Sequence, residues 1–272
     1  MENLVFTRYL YPKLDVKQSL LIALLDRNSN NALFWAYELY YSGFEEDLFE
    51  YIYNIYDSFY KLENPELEHI IQEKWIEWNE NKNDCIVGSI IITLTVRNYQ
   101  ICDFVKDYIG NTVFPMIHKT SCKFIVKFNE ADLSQYKTVR PEKEKTRQYL
   151  ASVCKYPINR AYNDFFGTSC SDYNEEFYNW EYYAVRCPLW LYRIQRYGGR
   201  INHETKKIDF PDDDAYEAFY DDWGLEPDEQ SVEVQEKCIG NCERKQLSTD
   251  DFCEKYGGAK SEPITNSIIF TS

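Results

Sequence analysis

The chain has 272 residues, 44% hydrophobic and 17% aromatic, with only 10 glycines and 9 prolines. That length carries one large domain or two small ones around a core needing no staples, and the scarcity of glycine and proline argues against a sandwich, a barrel or a Gly-rich nucleotide-binding fold. A formal charge of −15 disfavours broad, non-specific binding to nucleic acid.

Met1-Glu-Asn-Leu-Val-Phe-Thr-Arg lacks the basic start and apolar run of a secretory signal, and no later window holds 18 uncharged apolar residues, so a soluble intracellular protein is expected. Residues 15–27 place Val16, Leu20, Leu21, Leu24 and Leu25 at helical spacing, and Asn28-Ser-Asn-Asn31 supplies a turn and a cap for a second helix, Ala32 to Ser42, stopped by Gly43. A third helix, Glu45 to Leu62, carries Leu48, Ile52, Ile55 and Phe59 on one stripe and Phe49, Tyr53, Tyr56 and Tyr60 on the next. Two adjacent stripes predict a wide face buried by helices on more than one side. Asn64-Pro65 reads as a cap with proline at the first helical position, opening a helix to Asn79 with Leu67, Ile70, Ile71, Trp75 and Trp78 inward. In 85–109, Ile90-Ile91-Ile92-Thr93 favours a strand locally, but the length and the later spacing of Ile101, Phe104, Val105 and Tyr108 point to two short helices broken near Asn98.

The middle of the chain differs. Residues 120–128 read as a short strand or extended link and 129–140 as a surface loop; helices resume at 141–155, near 159–165, at 173–184 and at 187–197. Gly198 to Phe210 reads as a hairpin turning around His203 to Lys206. Pro211 opens an acidic helix over 212–223, another starts at Glu226-Pro227, and Ser248-Thr-Asp-Asp251 caps a last one that stops at Gly257-Gly258. The expected fold is mainly α: an irregular helical bundle or HEAT-like helical stack with a small β-hairpin. The expected organisation is an aromatic-rich helical domain over 1–118, a basic extended linker over 119–140, a helical module with an acidic segment over 141–258, and a flexible tail over 259–272.

Charge is unevenly placed. Residues 203–237 hold 13 Asp/Glu against 3 Lys/Arg, and residues 119–160 hold 10 Lys/Arg against 4 Asp/Glu. Opposed blocks of this kind suit intramolecular docking or self-association, or simply two solvated faces.

The sequence carries few signs of chemistry. Of three histidines, His69 reads as a hydrogen-bonded boundary residue and His203 as exposed, and no metal-binding pair or triad signature surrounds any of them. Nine scattered cysteines read as mostly buried, reduced thiols. Cys238, Cys242 and Cys253 are weak metal candidates, since one C-x3-C pair plus a single thiol leaves zinc's fourth ligand unassigned. The carboxylates of 212–222 could hold a hard cation, although an acidic helix start with a solvated face explains them more simply. Lys143, Lys145 and Arg147 are the nucleic-acid candidates, with Glu142 and Glu144 interrupting their field. Among the 24 tyrosines and 6 tryptophans, Trp35, Tyr40, Tyr41 and Tyr60 are read as core or interface anchors, because such rings bury much area at modest entropic cost.

Two stretches together carry a resemblance. Ala32-Leu-Phe-Trp-Ala-Tyr-Glu-Leu-Tyr-Tyr-Ser-Gly-Phe44, and Arg196-Tyr-Gly-Gly-Arg200 with Lys207-Ile-Asp-Phe-Pro-Asp-Asp-Asp214 and Phe219-Tyr-Asp-Asp-Trp-Gly-Leu-Glu-Pro-Asp-Glu-Gln230, resemble an uncharacterised protein family of giant nucleocytoplasmic large DNA viruses, mimivirus-like, over residues 15–230. The resemblance implies a viral protein of the host cell cytoplasm or the virion and assigns no reaction. The expectation is a non-enzymatic protein-protein interaction or scaffold protein with viral or host protein partners, no cofactor and no membrane association. A nucleic-acid-associated factor of viral transcription or replication and a divalent-metal-dependent enzyme using the 212–222 carboxylates stand as alternatives.

Overall fold

A computed structural model describes residues 5–101, 125–137, 179–223, 252 and 254–256. These residues are mainly helical, with one two-stranded antiparallel hairpin. None of the helices among them is long and apolar enough to cross a membrane.

Helix α1 (Lys13–Leu25) is apolar around most of its circumference and buries ten of its thirteen residues, as a helix enclosed on several sides must. Helix α2 (Ser29–Tyr40) starts three residues before the sequence predicts. The Asn28 side chain accepts the Asn31 N–H at 3.1 Å, so Ser29 to Asn31 form the first turn rather than a preceding one. Its exit is as expected: Gly43 has φ +89°, its N–H bonds the Tyr40 carbonyl, and the Phe44 N–H bonds the Leu39 carbonyl, the paired bonds of a glycine-terminated helix.

Helix α3 (Glu45–Ile55) passes into a π-helical turn over Tyr56–Tyr60, where the prediction has one continuous helix. The two stripes survive this change: Leu48, Ile52, Ile55 and Phe59 are buried, as are Phe49, Tyr56 and Tyr60. Asn64 does not cap α4 (Leu67–Asn81) with its side chain. Its amide donates to the Tyr60 and Asn98 carbonyls at 3.0 and 2.7 Å, tying α3's end to the exit of α5 (Cys85–Val96).

The strand-favouring run 90–93 lies inside α5. Ile90, Ile91, Thr93 and Leu94 are all buried, and full enclosure outweighs a local preference worth about 1 kcal/mol at most. Helices α1, α2 and α5 pack on one another, the closed arrangement of a bundle rather than an open stack, and α2 also contacts α3.

Residues 125–129 run extended into the short helix α6 (Glu130–Leu133). Part of the predicted surface loop is thus internal, since Leu133 and Tyr136 are buried, and Tyr136 stacks on Tyr37. Two hydroxyls of α5 hold this segment. Ser89 and Thr93 each donate to the carbonyl four residues back, and each accepts a backbone N–H, from Phe128 at 3.0 Å and Val126 at 2.8 Å. Gly88 clears the space for Phe128: a Cβ there would lie 2.3 Å from the ring.

Helices α7 (Trp180–Ala184) and α8 (Pro188–Arg196) follow, then strands β1 (Arg200–Asn202) and β2 (Lys207–Asp209) and helix α9 (Asp213–Trp223). The hairpin pairs Arg200 with Asp209 and Ile201 with Ile208, as its turn residues predict. Helix α8 joins the N-terminal core: the Trp190 indole donates to the Thr7 carbonyl at 3.1 Å and the Cys187 thiol to the Ser42 carbonyl at 3.2 Å. At the other end, Phe252 and Tyr256 are buried, and the Tyr256 hydroxyl donates to Asp26 at 3.0 Å. The predicted helices at 141–155, 159–165 and beginning at 226 lie outside the described residues.

Candidate functional site

Most polar groups inside this molecule are already committed to the fold. Glu38, fully buried on α2, bonds Arg8 Nε at 2.8 Å and the Tyr9 N–H at 3.0 Å, and Arg8 lies over the Tyr9 and Tyr41 rings. A buried carboxyl group needs such hydrogen-bond partners, and here they fasten the N-terminal segment to α2. The Tyr37 hydroxyl donates to the Asp84 carbonyl at 2.9 Å and accepts the Gly88 N–H at 3.1 Å; the Tyr41 hydroxyl donates to Asp84 Oδ2 at 2.7 Å. Burial raises both phenols, and the Asp84 carboxylate raises Tyr41 further. Burial pushes Asp84 itself up, but the Tyr41 hydroxyl and Lys137 outweigh it and hold the carboxyl below its usual range. Burial pushes the Cys187 thiol up to about 11, away from the thiolate that chemistry would need.

The four proposed anchors fall accordingly. Trp35, Tyr40 and Tyr60 are core residues, between 0% and 7% exposed, and Tyr41 is half-buried against Asp84. Trp35 meets Tyr11 and Phe34 edge to face, and Tyr60 lies against Tyr99. His69 is not a boundary residue. It is exposed on α4 with Glu73 at 2.9 Å, because its position lies on the outer face, opposite Leu67 and Ile71. His203 is exposed in the hairpin turn, 3.2 Å from the Tyr182 hydroxyl.

The acidic helix divides its carboxylates among separate tasks. Asp212 accepts the Ala215 N–H at 2.8 Å as a helix cap, and Asp222 accepts the Tyr197 hydroxyl. Among the described residues no group of three or more His, Cys, Asp or Glu is placed to hold a metal ion. Lys143, Lys145 and Arg147, and Cys238, Cys242 and Cys253, lie outside the described residues.

A groove of about 650 Å³ opens where the end of α2, the start of α3 and the end of α4 meet. Its floor is aromatic: Tyr40, Phe44 and Trp78, with the Trp78 indole donating to the Tyr40 hydroxyl at 2.9 Å. Burial raises the Tyr40 phenol, against the lowering effect of that indole bond. One wall is acidic, formed by Glu45, Glu46 and Glu50 beside Asp47. Lys82 also lines the groove, its ammonium 3.6 Å from the centroid of the Trp78 ring. Lys13 occupies a comparable position on Phe44 at 4.0 Å, and Asp47 pairs with Lys17 at 2.7 Å and Lys13 at 3.2 Å.

Three of these parts follow from local sequence. Gly43 ends α2 and turns Phe44 inward, with Pro188 so close behind that a Cβ on Gly43 would meet it at 2.6 Å. Acidic residues 45–47 suit the first turn of α3, where the helix dipole favours negative charge. Lys82 ends α4 in a left-handed conformation at φ +51°, which swings its side chain back over the last turn. Of these parts only the Gly43 stop is read from the sequence above; the acidic run immediately after it is the local signal for the groove, and Lys82 has none.

The chain matches no family model, no curated protein and no solved structure.

Proposed function

We propose that this is a non-enzymatic protein-interaction or scaffold protein, viral in origin and working in the host cytoplasm or virion, and that it docks a protein partner in the groove between α2, α3 and α4. The observation that carries this reading is the groove's composition. It joins three ring-bearing floor residues to a wall of carboxylates, two of which, Glu46 and Glu50, are exposed. Rings supply area for a hot spot and charged rims supply register, which is how a docking site gains affinity and selectivity together. Elsewhere the rings named as anchors are spent on internal packing.

The test is affinity purification of the tagged full-length protein from infected cells, comparing wild type with Glu46→Lys/Glu50→Lys by mass spectrometry. Both substitutions are at exposed positions, so thermal unfolding of the variant should match wild type to within about 0.5 kcal/mol. The expected result is one stoichiometric protein partner, depleted about tenfold by the variant, as reversal of interface charges costs several kcal/mol at most. Equal recovery by both forms, or recovery of none, overturns docking at this groove.

A further inference from the structure

We infer that the groove receives a lysine or arginine side chain from a basic partner segment, and that Lys82 is a resident cation which that side chain displaces. The inference rests on the docking reading above and names the chemistry of the occupant and the way the site is kept closed.

The chain itself shows what the groove accepts. A cation held over an aromatic face is attracted by the ring's quadrupole, most strongly by tryptophan. Lys82 takes that position on Trp78 at 3.6 Å, and Lys13 on Phe44 at 4.0 Å. The neighbouring Asp47 binds two ammonium groups at once. Helix-dipole compensation accounts for acids at 45–47, in the first turn, but not for Glu50, which lies beyond it and is exposed. Such a wall repels phosphate and favours a cation, so the complementary partner is a basic protein segment and not a nucleic acid.

Lys82 is loosely held compared with Lys61 and Lys74, the latter paired with Glu77 at 2.5 Å within α4. Lys61 is fixed by Asp57 at 2.7 Å and Glu68 at 3.1 Å, and these bonds raise its pKa. The Lys82 ammonium instead contacts the Asn79 amide oxygen at 3.4 Å, at the outer limit of a hydrogen bond. Trp78 is 3% exposed with Lys82 in place. Swinging Lys82 into solvent uncovers the ring, so the side chain acts as a competitive occupant: a partner's cation regains the interaction that Lys82 gives up, and the groove stays shut to neutral segments.

The experiment measures binding of fluorescent peptides to the full-length protein by anisotropy. The probes are a Gly/Ser peptide carrying four lysines, the same peptide with arginines, and the same peptide with glutamines. Wild type should bind the two cationic peptides, more weakly as salt rises, and not the glutamine peptide. Lys82→Gln, which keeps a polar side chain on a shorter stem and removes the charge, should tighten binding about two- to fivefold. Glu46→Gln/Glu50→Gln should weaken it several-fold. Lys207→Gln, which removes an exposed positive charge from the hairpin, controls for general attraction to an acidic chain and should leave affinity unchanged.

Equal binding of lysine and glutamine peptides overturns the inference. So does a Lys82→Gln affinity that is unchanged or matched by Lys207→Gln. If the peptides fail to bind while Glu46→Lys/Glu50→Lys still loses its cellular partner, docking at the groove stands and the cationic occupant is wrong; if both experiments fail, both readings fall.

Discussion

Helices α2 and α9 are nearly equal in length, twelve and eleven residues, yet α2 buries eight side chains and α9 one. Helix α2 is the axis of the bundle, with Trp35, Tyr37 and Leu39 packed on different sides and Glu38 fastened to Arg8. Helix α9 rests on Phe219, whose ring is enclosed by Trp180, Trp190, Tyr197 and Phe210, while Asp213, Asp214, Glu217 and Asp221 face outward. Both are tyrosine-bearing amphiphiles by composition. The difference lies in how much of each is enclosed, and it governs what each can be used for: a helix buried on several sides carries stability, and a helix held along one face by Phe219, Tyr220, Asp222 and Trp223 presents a surface.

The largest expected effect comes from alkali, because it acts on many phenols of the helical core together, those of α2 among them. Burial raises Tyr37, Tyr40, Tyr41, Tyr60, Tyr99 and Tyr136, and holds Tyr56 at about 12. In the unfolded chain these groups lose their protons near pH 10, whereas the folded chain retains them to higher pH. Stability is therefore fully present below pH 10 and is lost as pH rises through the folded values. Far-ultraviolet circular dichroism and tyrosinate absorbance should change together in one cooperative step above pH 10. Titration of these rings one by one, with helicity intact, would contradict the enclosure of α2.

Next in size is Trp35→Ala, at a site 1% exposed, with an expected loss of about 3–5 kcal/mol in global stability by denaturant unfolding. A loss below about 1 kcal/mol would mean that α2 is not the axis. Phe219→Ala should cost least globally, because what it removes is the anchor of one surface helix. Hydrogen exchange should show amides of 213–223 losing protection while those of 29–40 keep theirs. Equal loss in both helices would erase the distinction between them.

The periodicity of α1 through α4, the Gly43 stop, the hairpin and the acidic helix were legible in the sequence, since each depends on spacing within one segment. The π-helical turn at 56–60 was not, because a π turn and an α turn carry the same apolar stripes over five residues. The helical state of 90–93 was legible only from the length and spacing of the wider segment, since the run itself is strand-like in composition and is held in α5 by burial against α1 and α2. The candidate groove was half legible. Residues 45–47 and the Gly43 stop could be read as a helix junction, but Trp78 and Lys82 reach it from more than thirty residues away.

The same division explains the aromatic residues. Their number and two-stripe spacing settled, from the sequence by itself, that the chain is mainly helical with a broad ring-filled core, because hydrophobic periodicity is a property of neighbouring residues. Which ring is enclosed and which meets solvent was decided by the tertiary structure alone. Tyr40, Phe44 and Trp78 form one floor because the ends of three helices converge there, and convergence depends on packing between segments that no local pattern records.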